Sequence, residues 1–563
     1  MQAMKVKFVY IILIAGLVSA CSLEENPKSF VSRDNFYGTK SECTAALNSC
    51  YKSLRSLWTV NTAYMTESCS DIFYSSSSAT SDHNLTVTPS NALFGNNVWS
   101  YGYNGVMICN EVIECIAASS LPAADRDPMV AEARVVRALY YYMLTNTFNG
   151  VPFYTNMVET DEDMEAIRRL PRTDANEIRR WLYNDLKNNA LPAFGESAKV
   201  IGTKVTGQRA GYSLALMLMA KFAMWYEDWD AALEALGELE EIYGELNETN
   251  YPLVYNTMWR NRLTPESIFE IQHEWSVTGI QYHSTLSCGM TPTHADGAFD
   301  GVPLPELEPT TIPTYTKIYV GAHLGWLRAA SGTNPAESTS ATYINGLFRP
   351  LPLKFGDYDP DINRCKVIID LDAVRTLTKD GRKIDRRVLT TLGMGNLETG
   401  ETFGNVQTQG RPWPGPKFWC PQQTLQYDSN NYKIFRYADA VLMMAECYCR
   451  KGEPDNALKY LNYTRVRAGV DPVTGLSDSE DIMNQIIDER ARELAGEFHR
   501  KFDLVRWGIW YEKTVEFNQS SILKSNIRRC HEYYPIPDAE CALSGYVIKN
   551  EAYADLTDTN ENE

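Results

Sequence analysis

Apolar residues recur along much of this chain at the i, i+3, i+4, i+7 spacing of a single helix face, and these stripes have recognisable starts and stops. Asp127-Pro128 reads as an N-cap and first helical position. Val135, Ala138, Leu139 and Tyr142 follow at helical spacing, and Asn149-Gly150-Val151-Pro152 ends the element. A second stripe runs through Ala438, Val441, Leu442, Ala445 and Cys449 and breaks at Gly452. Pro454 restarts it, and Ala457, Tyr460, Leu461, Thr464 and Ala468 line the next helix before Gly469. That pattern predicts an antiparallel helical hairpin. Ala220, Ala232 and Leu236 repeat the spacing of Ala445, Ala457 and Leu461, so an earlier copy of the hairpin is expected. Small residues where two helices cross, with a larger one a turn later, suit tetratricopeptide-like packing. From about 251 to 435 the helical stripes fade. Pro and Gly become frequent, as in Gly301-Val302-Pro303-Leu304-Pro305 and Gly410-Arg411-Pro412-Trp413-Pro414-Gly415-Pro416, and short β-prone runs such as Lys366-Val367-Ile368-Ile369-Asp370 appear. A second irregular stretch lies at about 66 to 98. Long irregular segments on a rigid helical frame are where binding usually resides.

The N-terminus carries a different signal. Lys5 and Lys7 precede an apolar run from Phe8 to Val18, which ends in Val18-Ser19-Ala20-Cys21. As a helix that run would span roughly 16 Å, against about 30 Å of hydrocarbon, too short for a stable membrane span. It reads as the core of a signal peptide over residues 1–20. Small residues before a cysteine resemble a bacterial lipobox, in which Cys21 is acylated and becomes the mature N-terminus. Acyl chains would then hold the folded part at a membrane, outside the cytoplasm.

The formal net charge of -18 argues against nucleic acid and against broad adhesion to anionic lipid, since either polyanion would be repelled by most of the surface. It also disfavours a strongly anionic polysaccharide, unless a local basic pocket exists. Thirteen cysteines leave an even number once Cys21 is lipidated, which would permit disulfides outside the cytoplasm. Their spacing is uninformative: Cys43 and Cys50 are seven apart, Cys109 and Cys115 six, and only Cys447-Tyr448-Cys449 is tight. Most are expected to be small buried hydrophobes, with one or two disulfides left open and no metal or redox role.

An ordered set of motifs resembles the SusD/RagB family. In the C-terminal half these are Arg436-Tyr437-Ala438-Asp439, Ala445-Glu446, Leu461-Asn462, Arg465-Val466-Arg467-Ala468-Gly469-Val470, the run Glu489 to Glu497, Arg500 to Gly508, and Tyr534-Pro535-Ile536-Pro537. In the N-terminal half they are Asn35-Phe36-Tyr37, Ala46-Leu47-Asn48 with Tyr51, Arg134 with Arg137 to Tyr141, and Phe148-Asn149-Gly150-Val151-Pro152, where Asn149 replaces the usual glycine. The resemblance implies a mainly α fold: a tetratricopeptide-like helical hairpin scaffold with long irregular loops and a few short β-strands. It implies an N-terminal helical region over 21–250 and a C-terminal region over 251–563, probing ligand with an insertion at about 251–435 and carrying helical hairpins at about 436–510. It further implies a surface-exposed, lipid-anchored outer-membrane protein that captures a glycan, or in some members a peptide, and passes it to a SusC-like TonB-dependent transporter.

Glu489, Glu493 and Glu497 stand at i, i+4, i+8, interleaved with Arg490, Arg492, Arg500 and Arg506 and followed by Asp503. A partly buried ion-pair network joining two helices is expected; paired carboxylates for glycoside hydrolysis would have to face each other across a cleft. Asp357, Asp359 and Asp361 mimic the start of an EF-hand loop, but Ile362 occupies the glycine position and Ile368 the bidentate glutamate position. A surface turn is expected there, with calcium on some of those oxygens left open. No HExxH, G-x-S-x-G, P-loop or dinucleotide fingerprint occurs, so no enzyme activity is expected. Glycan binding asks for flat aromatic faces with polar side chains for the hydroxyls. The candidates in the irregular segments are Asp71, Tyr74, Trp275, Tyr282 and Trp326, with Trp413 in reserve. Trp99 and Tyr103, at the start of a helix continuing to Asn110, match the family's structural pattern and are assigned to the core. Two rival readings stay open: a peptide or other non-sugar nutrient on the same scaffold, and a helical-repeat adaptor that binds only proteins.

Overall fold

The computed structural model describes residues 36–75, 81–200, 209–252, 262–273, 431–468, 471–518 and 520–554, together with strand backbone at 348–350, 378–379, 382–383, 394–395 and 402–403. Cys21, Trp275, Tyr282, Trp326, Trp413, the run 366–370 and the acidic turn at Asp357, Asp359 and Asp361 lie outside the described residues.

Helix α1 (Lys40–Ser49) starts at a capping box, in which the Thr39 side chain and the Glu42 carboxylate satisfy each other's backbone N–H groups. α2 (Leu93–Ala117) and α3 (Ala123–Phe148) pack side by side across a short connection. Their approach is set by Gly105. A Cβ built there would lie 2.2 Å from the Tyr140 ring, so only glycine lets the ring sit on the α2 backbone. Trp99 is buried in this pair, between Tyr103 and Phe148, as the sequence predicts. The start of α3 differs from expectation. The helix begins at Ala123, and Pro128 lies inside it. The lost hydrogen bond would have gone to the carbonyl of Ala124, an exposed residue that water can serve, so the proline is tolerated.

α4 (Ala175–Asp185) is capped by Asp174, whose side chain accepts from the backbone of Asn176 and Glu177. α5 (Tyr212–Trp225) and α6 (Trp229–Tyr243) form the earlier predicted hairpin, and α7 (Tyr437–Arg450) and α8 (Pro454–Arg467) the later one. Ala220, Ala232 and Leu236 are fully buried in the first, as are Ala445, Ala457 and Leu461 in the second. Gly452 turns between α7 and α8 at φ +73°, a conformation that favours glycine. α4 packs on α5, α6 on α7, and α9 (Ser479–Leu494) on both α7 and α8. Hairpins from opposite halves of the chain are therefore neighbours in one stack. The protein is mainly α, a tetratricopeptide-like hairpin scaffold with a few short strands.

The charged run after Asp478 becomes a buried network, larger than predicted. α9 ends at Leu494, so Glu497 is presented by the turn through Gly496 (φ +77°) and not by the helix face. Arg436 pairs with Glu266 and Glu493 at 2.6 Å and with Glu497 at 2.8 Å. Arg467 reaches the same Glu266 and Glu493 at 2.8 and 2.6 Å. Asp439 on α7 meets Lys221 of α5 at 2.8 Å and Arg490 of α9 at 2.9 Å, and Arg490 also holds Asp503 at 2.7 Å. Burial opposes charge on Asp439, yet Lys221 and Arg490 keep its carboxyl well below the ordinary range. Removing one partner would strand a buried charge, so the network fixes the relative placement of the stacked helices.

Candidate functional site

Two irregular regions expected to carry ligand are joined to the frame and to each other by short strands. These are β1 (Phe73–Ser75), β2 (Ser267–Ile271), β3 (Phe348–Pro350) and β4 (Tyr432–Arg436). β2 and β4 are antiparallel, with Ile271 opposite Tyr432 and Glu270 opposite Lys433. The chain between them, 272–431, thus leaves and re-enters the frame at adjacent points. Its root is locked by a buried charge pair. Lys433 Nζ lies 2.6 Å from Glu270, Asn431 Nδ2 donates to the other Glu270 oxygen at 2.8 Å, and the backbone N–H of His273 donates to Asn431 Oδ1 at 3.0 Å. Burial disfavours the Glu270 carboxylate, but Lys433 outweighs it and holds the pKa below the usual range. A sequence signal existed: Glu270 stands between Phe269 and Ile271 and Lys433 between Tyr432 and Ile434, and such charges are rarely buried unless paired.

β1 pairs with β3, placing Phe73 opposite Pro350, Tyr74 opposite Arg349 and Ser75 opposite Phe348. The stretch around residue 70 therefore meets the middle of the long insertion. Tyr74 stands in this strand pair.

Of the stretch at 66 to 98, read from the sequence as a ligand-facing loop, the described residues 66–75 and 81–98 differ from that expectation. Thr66 to Phe73 are all buried, a short helix follows at Ser81–Asn84, and α2 already begins at Leu93. The cause is a set of polar contacts with the C-terminal helices α10 (Arg500–Arg506) and α11 (Trp510–Phe517) and the residues flanking them. The Glu67 carboxylate accepts from the backbone of Gly496 at 2.9 Å and His499 at 3.0 Å. Asn518 Nδ2 donates to the carbonyls of Ser68, Ser70 and Phe73 at 2.9–3.1 Å, and Trp510 Nε1 to that of Cys69 at 2.8 Å. An irregular backbone can be buried when its polar groups find partners of this kind.

Asp71 is the clearest case. It is fully buried, and both of its oxygens accept from Arg500, at 2.7 Å each. Arg500 also donates to the Ile487 carbonyl at 2.8 Å. Two residues before β1, Asp71 thus ties the strand bearing Tyr74 to α10. The bidentate pairing could not be read from a separation of 429 residues.

Among the described residues, no cluster of three or more His, Cys, Asp or Glu could hold a metal ion, and no helix is long and apolar enough to cross a membrane. Cys43, Cys50, Cys69, Cys109, Cys447, Cys449 and Cys541 are buried free thiols.

The fold and these motifs have counterparts. The sequence model of the SusD family matches residues 420–553, and that of the family described as "Starch-binding associating with outer membrane" matches residues 23–216. SusD-like protein P25 of Formosa agariphila is 24% identical over 97% of this chain and 98% of its own length. Among solved structures, a laminarin-binding SusD-like protein superposes with a TM-score of 0.60 at 22% identity, covering 90% of this chain and 98% of its own. Surface glycan-binding protein A from Bacteroides thetaiotaomicron, in complex with laminarihexaose, gives 0.59 at 18% identity with the same coverage. The two family models together take in more than half of this sequence, one at each end of the helical frame, and the chain belongs to the SusD/RagB family.

Proposed function

We propose that this protein is a surface-exposed outer-membrane lipoprotein, anchored through Cys21 after removal of residues 1–20, that binds oligosaccharide and hands it to a SusC-like TonB-dependent transporter. Its work is capture and delivery, with no bond made or broken. The observation that carries this reading is the meeting of two irregular segments at the β1–β3 pair, on a helical frame of a family one of whose sequence models is described as starch-binding. Two structural neighbours support the ligand class, one being a laminarin-binding protein and the other a complex with laminarihexaose. Tyr74, Trp275, Tyr282 and Trp326 are the proposed stacking and hydrogen-bonding contacts. Asp71 is a positioning residue, because its buried carboxylate faces Arg500.

The test is calorimetric titration of a lipid-free form starting at Ser22 with neutral oligosaccharides, laminarihexaose among them, with uronate oligosaccharides, and with mixed peptides. Saturable binding to a saccharide that Trp275→Ala weakens, at unchanged thermal stability, supports the reading. Binding of peptides alone would overturn it in favour of a non-sugar nutrient.

A further inference from the structure

Cys50 and Cys109 are both fully shielded from solvent where the end of α1 packs on α2. Cys50 is the residue that closes α1, and its side chain is hydrogen-bonded to the thiol of Cys109 on α2. Tyr140 of α3 pins both sides of this meeting. Its hydroxyl donates to the Cys50 carbonyl at 2.6 Å, and its ring sits on Gly105, one turn before Cys109. The same register continues along the two helices. Cys43, seven residues before Cys50, interacts electrostatically with Cys115, beyond Cys109, so α1 and α2 run in opposite senses.

Other thiols have different company. Cys43 Sγ donates to the Tyr37 carbonyl at 3.6 Å, and Cys115 Sγ lies 3.7 Å from Met157 Sδ. Cys69 Sγ donates to the Asp82 carbonyl at 3.4 Å and Cys449 Sγ to that of Ser479 at 3.2 Å. At Cys50 and Cys109 the neighbour is a second thiol, carried by a separate helix.

We propose that Cys50 and Cys109 are joined by a disulfide in the exported protein, fastening the first described helix after Cys21 to the frame. The proposal rests on the reading of residues 1–20 as an export signal, because structural disulfides persist outside the cytoplasm and are rare within it. The oxidant is a disulfide donor, a protein dithiol oxidase or glutathione disulfide. One cysteine thiolate attacks a donor sulfur and releases the other as a thiolate. The second cysteine thiolate attacks the resulting mixed disulfide and displaces the remaining donor sulfur. Two cysteine thiols are oxidised, one donor disulfide is reduced to two thiols, and the cysteine protons end on the donor. Burial and then the adjacent Cys50 push the Cys109 thiol well above its ordinary range, which makes the folded pair a poor nucleophile. The exchange therefore belongs to folding, before α1 docks on α2.

The test fractionates cells that express the full chain with its own leader. The protein is denatured in excess alkylating agent, digested without reduction and mapped by mass spectrometry. The expected result is a peptide pair linked through Cys50 and Cys109, which reduction separates, with neither cysteine alkylated beforehand. In Cys109→Ala, Cys50 should become alkylated without reduction, and this readout on unfolded chain does not require the variant to fold. The bridged parent should melt about 2–4 °C above the same chain refolded in reductant, because the bridge restricts the unfolded state. Alkylation of both cysteines before reduction, or a link from either one to a different cysteine, would overturn the proposal. If the protein with alkylated cysteines comes from the outer-membrane fraction, the bridge fails and the location stands. A reduced chain recovered from the cytosol removes both.

Discussion

Replacing Asp71 by alanine distinguishes a structural lock from a ligand contact. Asp71 and Arg500 are almost fully buried and joined by two 2.7 Å hydrogen bonds. The alanine variant leaves the Arg500 guanidinium in the interior, still donating to the Ile487 carbonyl but without its carboxylate. Breaking a buried pair from one side typically costs about 3–5 kcal/mol. Unfolding entropy for a chain of this length is roughly 1.2 kcal/mol per kelvin if it unfolds as one unit, so the melting temperature should fall by about 3–4 °C. Removing both charges with apolar residues of similar bulk, Asp71→Leu with Arg500→Met, should recover most of the loss, because a well-packed apolar pair often matches a buried ion pair. Scanning calorimetry of the parent and the two variants, followed by saccharide titration of each at a temperature where it is folded, gives both readouts. A melting temperature unchanged in Asp71→Ala, with saccharide affinity abolished, would refute the lock and return Asp71 to the ligand site.

Two further outcomes follow from the packing and the buried titrating groups. Gly105→Ala should destabilise the α2–α3 pair by about 1–3 kcal/mol, since the added methyl meets the Tyr140 ring at 2.2 Å; a denaturation midpoint equal to that of the parent would show that the ring yields freely. His499 and His531 are pushed down by burial to about 4 and about 3, below the ordinary histidine value of 6.5. Because the folded state favours their neutral forms, their stabilising contribution is present above pH 6.5 and is lost as pH falls towards those values, at up to about 1.4 kcal/mol per pH unit for each. Unfolding free energy measured between pH 6.5 and 4.5 should therefore decline, and less steeply in His499→Gln; a flat profile for the parent would contradict the assignment.

The sequence was most legible where one residue's environment depends on its near neighbours in the chain. Ala220, Ala232 and Leu236 and their later counterparts Ala445, Ala457 and Leu461 marked two hairpins because helical spacing is a local property, and all six are buried. The interleaved charges from Glu489 to Arg506 announced an ion-pair network for the same reason. Local reasoning failed at 66 to 73, part of a stretch read as an irregular loop on the helical frame. Polarity there reflects hydrogen bonding to Gly496, His499, Arg500 and Asn518, more than 400 residues away. Pro128 misled in a smaller way, because a proline near a solvated helix end need not be its first residue.

By itself, then, the sequence determined the family, the mainly helical scaffold, the two hairpins and the overall negative charge. These follow from short-range periodicity, ordered motifs and composition. Only the tertiary structure decided that the hairpins stack through α6 and α7, that the long insertion closes at its root on the Glu270–Lys433 pair, and that Asp71 is spent on Arg500. Each of these is a meeting of residues far apart in sequence. Partners of that kind are chosen by packing and by the cost of burying an unpaired charge, and neither is written in the spacing of residues along the chain.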